Sequence, residues 1–177
     1  MTFPCGRSNP LRILPFLLAA AACGGEGGPH VSRIDVVGLD GVEAALKERR
    51  GQGVLLNFWA IWCPPCVAEL PDLAEVAEEY SGRGGVLLTV NYDLMLPGEE
   101  AASIVERVRE FLRRKNFSFD VLVYDGPGFD AINERFDLPG PVPMTLAFDR
   151  EGNVVGRHEG QGDRARFSEM MRRALGP

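Results

Sequence analysis

The stretch Asn57-Phe58-Trp59-Ala60-Ile61-Trp62-Cys63-Pro64-Pro65-Cys66-Val67-Ala68-Glu69-Leu70-Pro71 decides how the rest of the chain is read. The apolar run from Val54 to Trp59 reads as a buried strand. A Trp-Cys-Pro-Pro-Cys turn follows, and then Leu70, Leu73, Ala74, Val76 and Ala77 recur at helical spacing. The first N–H groups of a helix lack internal partners, and the helix dipole adds partial positive charge there. A cysteine at that point is stabilised as thiolate, the nucleophile of disulfide exchange. Cys63 holds that position, and Cys66 lies about one turn on, within reach of an internal disulfide. Pro64 and Pro65 fall in the first turn, where a missing N–H costs least, and stiffen the loop between the thiols.

Other uses of two cysteines fit less well. A zinc site wants four ligands. Only Cys5 and Cys23 remain, both inside an N-terminal apolar leader, and His30 and His158 are far apart without ligand spacing. No metal is expected. A purely structural disulfide of so short a loop constrains little chain entropy.

The chain has 177 residues, 45% hydrophobic and 25% charged, which suits one domain with a sizeable core. Its net charge of −6 gives no basis for nucleic-acid binding. Residues 1–22 read as a secretory signal: Arg7 and Arg12 give a positive start, and Ile13 to Ala22 a short apolar core ending in small residues. Residues 23–32, with Gly27-Gly28-Pro29, read as a flexible tether, and residues 33–177 as the folded domain. Export permits disulfide chemistry.

Along that domain, residues 33–37 read as a strand and 41–50 as a helix capped by Asp40. The central strand and the cysteine helix follow, the latter running to about Tyr80 with Pro71 as an expected kink. Residues 85–91 read as the next buried strand, 93–99 as a loop and 100–115 as an amphipathic helix. The basic residues of that helix, Arg107, Arg109, Arg113, Arg114 and Lys115, read as its solvated face, with a partner site as the alternative. Residues 120–124 read as a strand and 129–136 as a short helix. Strands 144–148 and 154–158 form a hairpin, and Asp163 caps a last helix ending near Leu175. Parallel strands joined by helices, then an antiparallel hairpin, give an α/β fold: a mixed sheet with helices on both faces.

The residues Phe58-Trp59-Ala60, Trp62-Cys63-Pro64-Pro65-Cys66, Glu69-Leu70-Pro71 and Val142-Pro143-Met144-Thr145 resemble the thioredoxin superfamily. Within it they resemble the TlpA-like and ResA-like extracytoplasmic thiol–disulfide oxidoreductases. The resemblance runs from about Val31 to the C-terminus and implies a thioredoxin-like fold with a strand–helix insertion. It also implies a cis Pro143 facing the cysteines, beside which a substrate chain approaches the sulfurs and pairs with Val142; a trans proline starting an edge strand is the alternative. ResA-like members carry a glutamate at the step of Glu69, which, if partly buried, could move a proton to or from Cys66. A solvated helix glutamate is the alternative. Asn57 departs from cytosolic thioredoxins, which have a buried aspartate there. It cannot titrate, which shifts proton transfer toward Glu69 or water. Trp62 is expected to shield the disulfide, to contact partners and to quench when the disulfide forms, with Trp59 in the core. Cys23, after Ala20-Ala21-Ala22, resembles a lipoprotein cleavage site and would be lipidated, although Ala20 stands where leucine is usual. Cleavage by ordinary signal peptidase is the competing reading.

The expected activity is reduction of client disulfides in the periplasm or cell envelope, with no cofactor beyond the Cys63–Cys66 pair and with Trp62, Pro64, Pro65 and Val142 at the substrate. The resemblance further implies a membrane-embedded thiol donor and clients such as apocytochrome c. Three other readings stay open: a disulfide-donating oxidant, a thiol peroxidase, and a Cu(I) carrier using the two thiolates. The peroxidase lacks its lone activated cysteine here.

Overall fold

The computed structural model describes residues 32–177. The expected signal, Cys23 and nearly all of the tether lie outside the described residues. The elements are β1 (Ile34–Val37), α1 (Leu39–Glu48), β2 (Gly53–Trp59), α2 (Pro64–Ser81), β3 (Gly85–Asn91), α3 (Ala101–Lys115), β4 (Asp120–Tyr124), α4 (Phe129–Phe136), β5 (Met144–Phe148), β6 (Val154–Glu159) and α5 (Arg164–Leu175).

One six-stranded sheet runs β1-β4-β3-β2-β5-β6. β1, β4, β3 and β2 are mutually parallel, while β5 pairs antiparallel with both β2 and β6. This is the expected mixed sheet. α3 and β4 form the added helix and strand, with β4 between β1 and β3. β2 is buried along its whole length, which is why it reads as a continuous apolar run rather than an alternating one.

Connection handedness places the helices. The steps β2-α2-β3 and β3-α3-β4 move the same way across the sheet, and β1-α1-β2 moves the opposite way. Right-handed crossovers then put α2 and α3 on one face and α1 on the other. Contacts agree. Successive strand residues point to opposite faces. On the first face, Gly53 meets Ala174 and Leu175 of α5, Asn57 bonds to Glu69 of α2, and Trp59 stacks on Phe111 of α3. On the second, Phe58 packs against Phe136 of α4. Buried Leu and Phe side chains such as Leu55, Leu56 and Phe58 each contribute about 1.5–3 kcal/mol.

The structure corrects two local expectations. Asp40 does not cap α1. The helix begins two residues before the expected start, with Gly38 as the N-cap, and Gly38 O accepts from Gly41 N and Val42 N. Asp40 sits inside the first turn, where its charge complements the dipole. The expected loop 93–99 begins with a 3-10 turn, Asp93–Met95, because the backbone carbonyls of Tyr92 and Asp93 accept from Met95 N and Leu96 N. α2 runs as one helix through Pro71. The basic face of α3 is exposed, and Arg107, Arg109 and Arg113 pair with Glu99, Glu106 and Glu110.

Candidate active site

β2 ends at Trp59, and the chain turns through Ala60-Ile61-Trp62 to Cys63, the N-cap of α2. Cys63 N donates to Ala60 O, and Tyr92 N of the neighbouring strand end donates to Trp59 O. Asp93, only 2% exposed, fixes the turn from the side: its carboxylate accepts from Ile61 N at 2.9 Å and from Asn91 Nδ2 at 2.6 Å. Burial holds the Asp93 carboxyl above its ordinary range. Sequence reading placed Asp93 in a loop and gave it no role. A carboxylate that reaches a backbone N–H 32 positions away leaves no local signal.

Cys63 and Cys66 form a disulfide. Cys66 N donates to Cys63 Sγ at 3.3 Å, so the first free N–H of the helix, after two prolines that have none, points at that sulfur. After reduction the same N–H stabilises a Cys63 thiolate. Cys66 is fully buried and Cys63 is 5% exposed. The more accessible sulfur is therefore the one at the helix terminus. Pro64 and Pro65 are exposed beside it, and Trp62 is 45% exposed. Trp62 therefore stands at the surface. Trp59 is fully buried, as expected.

The segment before β5 comes to the same place. The Val142–Pro143 peptide bond is cis, as the resemblance implied. Val142 O lies 3.9 Å from Cys63 Sγ, Val142 is half-buried, and Pro143 is buried.

Glu69 settles one open alternative. It is not a solvated helix residue but fully buried, 0% exposed. Asn57 Nδ2 donates to its Oε1 and Gly162 N to its Oε2, each at 2.8 Å. Burial dominates over these bonds and pushes the Glu69 carboxyl up to about 7. Asn57 also donates to Thr145 Oγ1 at 3.0 Å. The residue that cannot titrate is thus the scaffold of the one that can. Gly162 and Thr145 were given no role at the site from the sequence. Gly162 acts through its backbone from 93 positions away. Thr145 acts because β5 pairs with β2 in the register Asn57–Thr145. Gly162 must be glycine for lack of room: a Cβ there would lie 2.4 Å from the Phe167 ring and 3.0 Å from His158 Cδ2.

His158 therefore stands near this cluster, on β6, the strand expected over 154–158. Among the described residues no three His, Cys, Asp or Glu side chains gather as a metal site, and no helix is long and apolar enough to cross a membrane.

Comparison with known proteins agrees with this geometry. Residues 28–157 match the AhpC/TSA family. The thiol-disulfide oxidoreductase ResA of Halalkalibacterium halodurans is 31% identical over 134 residues, spanning 75% of this chain and 68% of the relative. A thiol:disulfide interchange protein of the thioredoxin family from Chlorobium tepidum TLS superposes with a TM-score of 0.60 at 26% identity, over 73% of this chain and 84% of that one. The pneumococcal exposed lipoprotein thioredoxin Etrx1 from Streptococcus pneumoniae strain TIGR4 superposes with a TM-score of 0.57 at 28% identity, over 71% of this chain and 87% of that one. With a redox cysteine pair at a helix start in a thioredoxin-like sheet, the chain belongs to the AhpC/TSA family and is a thiol–disulfide oxidoreductase of the ResA type.

Proposed function

We propose that this enzyme works outside the cytosol as a reductant of client-protein disulfides, including those in haem-attachment segments during cytochrome c maturation. The observation that carries the reading is the placement of Cys63 Sγ, at the N-terminus of α2 and 3.9 Å from Val142 O. Reduced Cys63 thiolate attacks one sulfur of a client disulfide, and the other client sulfur leaves as thiolate. The client chain lies along Val142 and Pro143, over Pro64 and Pro65 and against Trp62. Glu69 takes the proton of Cys66, whose thiolate attacks Cys63 and frees the second client sulfur. The client gains two electrons, and the Cys63–Cys66 disulfide is formed. No further cofactor enters this cycle. A membrane-embedded thiol donor then returns two electrons to the pair.

Export by the 1–22 segment and lipidation at Cys23 belong to the same reading. The similarity to an exposed lipoprotein thioredoxin supports it. The test is a trapping experiment. Cys66→Ser is expected to accumulate a mixed disulfide through Cys63 with a peptide bearing an oxidised Cys-x-x-Cys-His segment. Cys63→Ser is expected to accumulate none. Trapping by Cys63→Ser instead would reverse the assigned roles, and trapping by neither would remove the client reading.

A further inference from the structure

A fully buried carboxylate that exchanges protons is controlled by what surrounds it, and one neighbour of Glu69 has no part in the cycle above. Asn57 pairs with Thr145 across β2 and β5, and Thr145 pairs with His158 across β5 and β6. Directly paired residues share a face, so Asn57, Thr145 and His158 form a polar row under α2 and α5. The first two are already hydrogen-bonded in a chain to Glu69. A second placement is independent of this row. Gly162 donates its N–H to Glu69 Oε2, and the Cβ position of the same residue lies 3.0 Å from His158 Cδ2. The Cδ2 atom of the imidazole thus lies beside the residue whose N–H holds the carboxylate.

The other edge is occupied. Arg166 Nε lies 3.4 Å from His158 Nδ1. A guanidinium only donates, so Nδ1 is an acceptor and the proton of the neutral ring sits on Nε2. Arg166 is held in turn by Arg157 O and Glu169. His158 Nε2 is buried and has no hydrogen-bond partner among the described residues. Phe167 stacks edge-on against the ring. A buried donor without a protein acceptor costs free energy, which calls for a reason to keep it.

We infer that His158 is a positioning residue for Glu69: Arg166 fixes its tautomer, and the resulting Nε2–H, beside Gly162, favours the ionised carboxylate. The inference rests on Glu69 being the proton-transfer group. The other charged groups around the pair are Asp72 on α2, Glu159 on β6, and Asp163, Arg166 and Glu169 at the start of α5. β2 and β5 contribute only the neutral Asn57 and Thr145.

The test is the titration of Glu69 itself, followed by carboxyl carbon NMR in the oxidised protein and assigned by comparison with Glu69→Gln. The parent is expected to titrate near 7. His158→Leu is expected to raise the midpoint by about half a unit or more, since the Nε2–H dipole beside Gly162 is lost. His158→Gln, whose amide N–H can take the place of Nε2–H, is expected to restore it. An unmoved midpoint in His158→Leu, or a shift in His158→Gln as large as in His158→Leu, overturns the inference. Should His158→Leu not fold, imidazole nitrogen NMR of the parent decides: a proton on Nε2 supports the inference, and one on Nδ1 overturns it. Failure here leaves the proton-transfer role of Glu69 standing. That role falls separately if Glu69→Gln leaves the pH profile of disulfide exchange unchanged.

Discussion

In the proposed cycle two cysteines one turn apart take different roles because their surroundings differ. Cys63 receives the Cys66 N–H at the helix start and keeps 5% exposure, while Cys66 is fully buried next to the turn that carries Glu69. A buried thiol resists ionisation, so its attack on a mixed disulfide benefits from a base. With its carboxyl raised to about 7, Glu69 is matched to that task near neutral pH. Glu69→Gln keeps the shape and removes the base. We expect the resolving step to slow on the order of 10²-fold and to lose its inflection near pH 7, measured by stopped-flow release of a peptide from the Cys63 mixed disulfide. The Cys pair and the glutamate were legible in the sequence, because their spacing on a helix start is itself the signal. The burial of Glu69 was not legible. It depends on Asn57, Thr145 and Gly162, which come from a strand pairing and a backbone N–H far along the chain. Asn57 read as a lost proton acceptor and proved to be the donor that holds one.

Elements with a strong local pattern stand where the sequence put them. β3, β4, α4 and β5 have the expected bounds, and α5 starts after Asp163, whose side chain accepts from Arg166 N as a cap should. The start of α1 was misplaced because a glycine N-cap carries no side-chain signal, whereas Asp40 resembles one. The Gly160-Gln161-Gly162 loop read only as a loop, yet it closes the site over Glu69. Gly162→Ala forces a methyl into the Phe167 ring and His158. An overpacked site of this kind costs about 1–3 kcal/mol. The variant is expected to unfold at lower urea concentration than the parent, and an unchanged midpoint would mean the loop has room that its contacts deny. On the exposed face of α3 the opposite holds. Arg113→Ala breaks its ion pair with Glu110, and the urea midpoint is expected to stay at that of the parent, because solvent screens so exposed a pair.

At the scale of the whole molecule, the site and the stability are linked through the buried carboxyl. Glu69 binds its proton more tightly in the folded state, about 7 against the ordinary 4.5. The stability this contributes is therefore fully present below about pH 4.5 and is lost as pH rises through about 7. The full span is on the order of 3 kcal/mol, at about 1.4 kcal/mol per pH unit. Asp93, also raised by burial, acts in the same direction. Unfolding free energies at a series of pH values should fall across this window in the parent and fall less in Glu69→Gln; an identical slope would contradict the raised carboxyl. The fold class was legible because one apolar strand, one cysteine turn and the later proline segment each carry local signals that agree. Direction of electron flow has no such local signal; it is set by the reduction potential of the pair. The decisive measurement is the reduction potential of the Cys63–Cys66 pair, equilibrated against dithiothreitol or glutathione and followed by Trp fluorescence. A reductant of client disulfides is expected below about −230 mV, whereas a value near about −120 mV would make the pair an oxidant and contradict the proposed function.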